Sequence, residues 1–143
     1  MSLEQNKAVV MRFVDFINTG DTTLVNDVVA PEYLERDPFP GQTPGREGLK
    51  AIILMVRAAF PDLTWVMDEM VAEGDIVASR FTWHGTHRGT FLGVPPTGKQ
   101  VTVTGMVFDR VVAGQMVESQ LLMNTMSLLS QLGAIALPPQ PPI

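Results

Sequence analysis

The 143-residue chain contains no cysteine, only two histidines and a single tyrosine. Without cysteine, disulfides, thiol nucleophiles and thiolate metal sites are excluded. Both histidines, His84 and His87, lie in one short segment, and they are the only side chains that ordinarily titrate near neutral pH. Thiol chemistry is therefore outside what this chain can perform.

Positive charge is also scarce, with ten Lys and Arg residues against fifteen Asp and Glu residues, for a net charge of −5. The basic residues are scattered, whereas nucleic acids and anionic membranes are bound by basic patches, so we expect neither partner. The chain has no apolar run of 18 residues, and its N-terminus lacks the apolar core of a signal peptide. We therefore expect a cytoplasmic protein.

Residues 84–99 hold four glycines, two prolines and both histidines between two β-rich segments. This composition predicts an ordered connection, in its simplest form a shaped hairpin loop with two solvated imidazoles. The glycines match neither a phosphate-binding loop nor a dinucleotide-binding fingerprint, so no cofactor is expected. His84 and His87 would diverge on a strand, which argues against a metal site.

The periodicity of apolar residues predicts one domain over residues 1–137, followed by a proline-rich tail over residues 138–143. Helical spacing predicts helices over residues 4–18, 21–29, 46–59 and 125–132. Alternation predicts strands over residues 63–71, 76–87, 100–112 and 116–123. Residues 31–46, rich in proline and glycine, carry no such pattern. This order predicts an α+β fold in which helices pack on one face of a curved antiparallel sheet and enclose a conical pocket.

Short motifs follow one another from about residue 5 to residue 133, and their joint order is specific. They are FINTGD at 16–21, APEY at 30–33, PGREG at 44–48, AFPD at 59–62, GTH at 85–87, GVPPTGK at 93–99 and QLG at 131–133. In this order the chain resembles the SnoaL-like polyketide cyclase family of the nuclear-transport-factor-2-like superfamily. The resemblance implies a cone-shaped α+β barrel with helices on the concave face of the sheet, and a homodimer formed through exposed sheet faces. It also implies ring closure by an intramolecular aldol step, in which a pocket acid removes a proton next to a carbonyl and a histidine assists.

The residues that perform this chemistry in the family are replaced here. Alignment places the acid of the family at or next to Leu121 and its histidine near Val107. Neither leucine nor valine can exchange a proton. Other polar positions of the family fall at Arg36, Gln120 and Asn124, so its acid–base machinery is not retained at any matched residue.

Asp109 and Asp37 are the remaining catalytic candidates. Asp109 shares a strand face with Val103, Gly105 and Val107, so it enters the pocket if that face lines it. Alternatively, it ends the strand as a solvated residue. Asp37 precedes a proline near the expected pocket mouth, where it acts as a base if buried or otherwise caps a turn.

Several residues are predicted to bind substrate. Trp65 would stack on a flat aromatic ligand, although core packing is an equally ordinary role for tryptophan. Arg36 would hold an anionic or carbonyl group, or else pair with Glu35 or Glu32 on the surface. The full predicted set comprises Tyr33, Arg36, Trp65, His84, Val107, Glu118, Gln120 and Leu121, in which Glu118 and Gln120 orient the ligand if their strand face points inward.

Three functional hypotheses follow. The first is a cofactor-independent cyclase or isomerase acting on an apolar or aromatic carbonyl compound. The second is a noncatalytic module of the same fold that binds a small molecule or serves as an oligomer scaffold. The third, a site of the ketosteroid-isomerase type, requires a tyrosine and an acid deep in the cone, and only Tyr33 can supply the tyrosine. An alternating stripe over residues 102–108 either forms a dimer surface or packs under the helices.

Overall fold

A computed structural model describes residues 2–139 and confirms the α+β class. Residues 140–143, and with them most of the predicted tail, lie outside the described residues. The elements are α1 (Leu3–Thr19), α2 (Thr22–Val28), β1 (Val29–Glu35), α3 (Gly45–Ala59), β2 (Thr64–Glu73), β3 (Ile76–Thr86), β4 (Gln100–Val112), β5 (Gln115–Met123) and α4 (Thr125–Gln131).

The helices begin where side chains can satisfy their free N–H groups. Ser2 and Gln5 form a capping box at the start of α1, and Gly20, with a φ of 73°, ends that helix in the left-handed conformation. Asp21 accepts a hydrogen bond from Thr23 N–H at the start of α2. Asn124 caps α4 in the same way. These local signals explain why the predicted helix positions agree closely with the structure.

The sheet has the strand order β1-β5-β4-β3-β2, and it is mixed rather than antiparallel throughout. Strands β2 to β5 pair antiparallel, as predicted, but β1 pairs parallel to β5. The apolar pattern does not predict β1, because Pro31 lies within it. An edge strand tolerates proline, and the partner that makes this segment a strand lies near the other end of the chain.

Alternation along β4 decides which side of the sheet faces the helices. Val103 and Val107 are buried, whereas Met106 and Phe108 are 61% and 60% exposed. The stripe over residues 102–108 therefore lies on the outer face, and its packing under the helices is ruled out. The buried face joins α1 and α3 in one hydrophobic core.

The segment that joins β3 and β4 folds back so that residues 97–99 cover His87. His87 is fully buried, its ring stacks on Phe60 with centroids 5.4 Å apart, and its Nδ1 accepts a hydrogen bond from Thr97 N–H. The expectation of two solvated imidazoles is therefore wrong for His87 and correct for His84, which is exposed. The His87 ring is covered because the His87 and Lys99 backbones are hydrogen-bonded and bring residues 97–99 over it.

Candidate functional site

The concave face of the sheet encloses a cavity with two connected parts. We call them the outer chamber, of about 340 Å³, and the inner chamber, of about 50 Å³. A side cleft of about 210 Å³ opens beside β1 and residues 38–45. Both chambers are lined by Ile17, Glu35, Leu49, Ile53, Trp65 and Leu121.

The outer chamber is predominantly apolar and has an aromatic wall. Trp65 and Trp83 are cross-strand partners on β2 and β3, and both line it. Trp65 is held from behind by Phe81, whose ring stacks at a centroid distance of 4.2 Å. Its backbone is fixed by Asn18, which accepts a hydrogen bond from Trp65 N–H at 2.7 Å and donates one to Trp65 C=O at 3.0 Å. Walls of this kind suit a flat, largely apolar ligand.

The inner chamber contains a buried carboxyl group. Asp109 is only 3% exposed, and its cross-strand partner Ser119 donates a hydrogen bond to Asp109 Oδ1 at 2.5 Å. Burial raises the pKa of Asp109 to about 7, with the Ser119 hydrogen bond opposing this rise and the charge of Glu35 adding to it. Asp109 is therefore a carboxyl group that can exchange a proton near neutral pH.

Tyr33 lies beside this pair. Its side chain is buried, it lines the inner chamber, and its hydroxyl lies next to Ser119. Burial raises the pKa of the Tyr33 hydroxyl, so the group remains a hydrogen-bond donor at neutral pH. The structure thus places a tyrosine and an acid together deep in the cone, the combination that a site of the ketosteroid-isomerase type requires.

Glu35 also lines both chambers, although no sequence pattern predicted it there. It is paired in register with Ser119, which is itself paired with Asp109, so the three residues form one row across β1, β5 and β4. Burial raises the pKa of Glu35, while backbone N–H groups, including that of Asp37 at 3.0 Å, oppose the rise. The inward alternation of Tyr33 and Glu35 would have revealed this residue, had residues 29–35 been recognised as a strand.

Asp37, the other catalytic candidate, lies at the rim. It lines the outer chamber but is exposed, and its Oδ2 accepts a hydrogen bond from Gln120 Nε2 at 2.8 Å. Asp37 and Asp109 therefore occupy opposite environments, one solvated at the entrance and the other buried at the closed end.

Glu118 and Gln120 do not face the cavity, contrary to the expectation. Ser119 and Leu121 point inward on β5, so the pleat turns the side chains of Glu118 and Gln120 to the other face. Glu118 instead forms an ion pair with Arg36 and a second one with Arg110 at 3.3 Å.

Arg36 and His84 also lie outside the cavity. Arg36 is exposed and pairs with Glu118 rather than with Glu35 or Glu32. His84 is on the outer face of the sheet, where its Nδ1 lies 3.0 Å from Thr102 Oγ1. The prediction that these two side chains contact substrate is therefore corrected, because both are exposed and neither lines the outer or the inner chamber.

Val107 and Leu121 are direct cross-strand partners, and both line the inner chamber. These are the positions at which the resemblance implies a histidine and an acid. Asp109 and Ser119 form the next inward-facing pair, farther from the Met123 end of β5 that lines the outer chamber. The polar pair of Asp109 and Ser119 therefore lies two residues farther along the two strands than the apolar pair of Val107 and Leu121, on the side away from the outer chamber.

Within residues 2–139, no three His, Asp or Glu side chains are grouped so that they could hold a metal ion. Over the same residues, no helix has the length and apolar character needed to cross a bilayer.

Comparison with known proteins agrees with this architecture. Nogalonic acid methyl ester cyclase from Streptomyces nogalater is 26% identical over 122 residues, which cover 84% of this chain and 91% of that protein. Aklanonic acid methyl ester cyclase DnrD from Streptomyces peucetius is 28% identical over 112 residues, covering 74% and 75% of the two chains. The structure of TsrD from Streptomyces laurentii has a TM-score of 0.87 at 27% identity and covers 94% of this chain and 99% of that chain. Since a family model described as SnoaL-like polyketide cyclase matches residues 7–132, this chain belongs to the SnoaL-like polyketide cyclase family.

Proposed function

We propose that the protein is a cofactor-independent cyclase or isomerase that acts on a flat, polyketide-like carbonyl compound by acid–base catalysis. The observation that carries this proposal is the buried Asp109 carboxyl group in the inner chamber of a predominantly apolar cavity. Two relatives are named as methyl ester cyclases of nogalonic and aklanonic acid, which supports an aromatic polyketide ester as the substrate class.

The proposed reaction transfers a proton next to a carbonyl group. Removal of a proton from the carbon beside the carbonyl leaves an enolate, and the enolate carbon attacks a second carbonyl of the same molecule. A carbon–carbon bond forms, and the oxygen of the attacked carbonyl takes up the proton. Asp109 is suited to take part in this sequence, as a proton donor or as a hydrogen-bond donor, because its pKa of about 7 lies near neutral pH.

The walls would position the substrate. Trp65 contacts the flat part of the molecule, while Val107 and Leu121 exclude water from the reacting carbons. Asp37 stands at the entrance, where a solvated carboxylate is less suited to proton removal than one in an apolar site.

The test combines thermal-shift measurements with mass spectrometry of the products. Nogalonic acid methyl ester, aklanonic acid methyl ester and steroid-like ketones are the probes. A ligand at one hundred times its dissociation constant stabilises the protein by about 2.7 kcal/mol, which is readily detected. We expect a thermal shift together with a ring-closed or isomerised product, and slower but persisting formation of the product in Asp109→Asn.

A matched control is Glu32→Gln, which removes an exposed carboxylate from the same strand as Tyr33. Its activity should equal that of the wild type. A thermal shift with chemically unchanged ligand would contradict the enzyme proposal and would instead support a noncatalytic binding module.

We also propose that the protein forms a homodimer through the outer face of the sheet. Met106, Phe108 and Leu122 are 61%, 60% and 63% exposed there. Met106 and Leu122 are cross-strand partners, and Phe108 lies two residues along the same face. A contiguous apolar patch on an otherwise solvated sheet is typical of a protein–protein contact.

A further inference from the structure

We propose that Glu35 is the catalytic base of this site, and that the Tyr33 hydroxyl and a protonated Asp109 hold the carbonyl oxygen of the substrate. This assignment rests on the proposed function and divides its acid–base work between two carboxyl groups. It concerns Glu35, a residue at which neither the family motifs nor the sequence pattern indicates a catalytic role.

The first support is the row that Glu35, Ser119 and Asp109 form across three adjacent strands. All three residues line the inner chamber, so their side chains share the concave face. Neighbouring strands are about 4.8 Å apart, which places the Cα atoms of Glu35 and Asp109 about 10 Å from each other. In the proposed complex, the carbonyl group and its neighbouring carbon lie over Ser119, between the two carboxyl groups.

The second support is the different access of the two carboxyl groups to the cavity. Glu35 lines the outer chamber, the inner chamber and the side cleft, and it is the only described residue that lines all three. Asp109 and Ser119 line the inner chamber alone. In the proposed complex, a substrate seated in the outer chamber contacts Glu35 with its reacting carbon and extends its carbonyl oxygen toward Asp109.

The third support is the hydrogen-bonding around Asp109. Ser119 donates to Oδ1, and no described residue donates to or accepts from Oδ2, which is therefore the oxygen available to carry a proton. The Tyr33 hydroxyl lies beside the same serine. Apart from Tyr33, Glu35 and Ser119, the residues that line the inner chamber with Asp109 are apolar. In the proposed complex, the Tyr33 and Asp109 O–H groups both donate to the carbonyl oxygen of the substrate, and two donors in an apolar site stabilise the negative charge that develops there.

The electrostatic surroundings of the two carboxyl groups also favour Asp109 as the acid and Glu35 as the base. Burial, together with the charge of Glu35, raises the pKa of Asp109 to about 7, which favours a proton on Asp109 rather than on Glu35. Burial raises the pKa of Glu35 too, but the N–H groups of Asp37 and Leu121 favour its carboxylate form. In the proposed site, the shared proton of this pair is therefore assigned to Asp109 and the carboxylate form to Glu35.

In the proposed step, the Glu35 carboxylate takes a proton from the carbon beside the carbonyl. The electron pair of the broken carbon–hydrogen bond moves into the enolate, whose oxygen accepts hydrogen bonds from Tyr33 and Asp109. The enolate carbon then forms a bond to a second carbonyl carbon, and Glu35 returns its proton to the alkoxide. No proton or electron is gained or lost overall.

The test uses 2-tetralone, a flat ketone with acidic α-protons and no second carbonyl, so proton removal is separated from ring closure. Deuterium incorporation from D₂O is followed by nuclear magnetic resonance, and binding is followed by calorimetry. Glu35→Gln should bind 2-tetralone like the wild type yet exchange its α-protons at least about 100-fold more slowly. Glu32→Gln should exchange at the wild-type rate.

Asp109→Asn gives an independent readout, since the amide keeps an N–H donor but does not titrate. Wild-type exchange should fall as the pH rises through about 7, where Asp109 ionises. In Asp109→Asn, exchange should persist and this alkaline decrease should disappear. A merely structural role of either residue would not change the shape of the pH profile.

Failure of the Glu35 assignment and failure of the proposed function would give different results. An active wild type together with an equally active Glu35→Gln variant would overturn the assignment of Glu35 and leave the proposed function intact. A wild type that binds 2-tetralone and the aromatic esters but catalyses neither exchange nor ring closure would overturn the proposed function and this assignment with it.

Discussion

Ser119 lies directly opposite Asp109 across β5 and β4, and its hydroxyl donates a 2.5 Å hydrogen bond to the Asp109 carboxyl group. The adjacent inward-facing pair is Val107 and Leu121, which is apolar. The buried carboxyl group therefore lies on β4, in the pair next to the one that contains Leu121, the position at which the resemblance implies an acid. A substrate that reacts at Asp109 must extend its carbonyl group into the inner chamber.

Asp109→Asn should change how stability depends on pH. The pKa of Asp109 is raised from its ordinary value of 3.8 to about 7, so the folded state binds this proton more tightly than the unfolded state. The free energy of unfolding of the wild type therefore falls as the pH rises from about 4 to about 7, and this loss persists above pH 7. The fall attributable to Asp109 is at most about 4 kcal/mol.

Urea denaturation at pH 4.5 and pH 8 would measure this effect in both proteins. The lowered pKa values of Asp62 and Glu118 act in the opposite direction, but both residues are present in both proteins and cancel in the comparison. The stability of Asp109→Asn relative to the wild type should be greater at pH 8. An identical difference at the two pH values would contradict the raised pKa of Asp109.

Gly105→Ala should destabilise the protein by about 1–3 kcal/mol, because the site has no room for a methyl group. A Cβ atom at Gly105 would lie 2.3 Å from the Phe81 ring and 2.6 Å from the Leu122 carbonyl oxygen. Displacement of Phe81 also moves Trp65, against which it stacks. Thermal denaturation and the tryptophan emission spectrum would report both effects.

The control for Gly105→Ala is Thr104→Ala, a change at the exposed neighbour on the same strand. It should alter stability by less than about 1 kcal/mol and leave the emission spectrum unchanged. Equal stability of the two variants would show that the close packing around Gly105 has no energetic consequence.

Asn18→Ala should lower the free energy of unfolding by about 1–3 kcal/mol. The amide side chain makes two hydrogen bonds with the backbone of Trp65, and alanine would leave both of those backbone groups without this partner. Asn26→Ala, at an exposed position of α2, serves as the control. Chemical denaturation should separate the two variants, and similar values would argue against a role for Asn18 in anchoring β2 to α1.

Substitution of the outer face should separate the proposed dimer. Phe108→Lys combined with Met106→Lys introduces four cationic charges into a symmetric contact, two from each subunit, and removes its central apolar groups. We expect a shift from dimer to monomer in sedimentation-equilibrium measurements, with circular dichroism unchanged. A wild type that is monomeric at high micromolar concentration would refute the dimer proposal.

The positions of the helices and of four strands followed from the sequence because their signals are local. Capping by Ser2 and Asn124 and the left-handed Gly20 depend on residues a few positions away. The alternation along β4 likewise grouped Asp109 with Val103, Gly105 and Val107 on one face. That grouping is correct, and the period of two along one strand is sufficient to make Asp109 a catalytic candidate.

Only the tertiary structure decided which face points inward and which residues meet there. A period of two is the same for both faces of a strand, so the sequence could not choose between the two faces of β5, and the structure turns Glu118 and Gln120 outward. The strand β1 exists because it pairs with β5, and a pairing between the two ends of the chain leaves no local signal. The convergence of Tyr33, Glu35 and Asp109 therefore arises from long-range strand pairing, whereas the residue types that this pairing brings together are determined by the sequence alone.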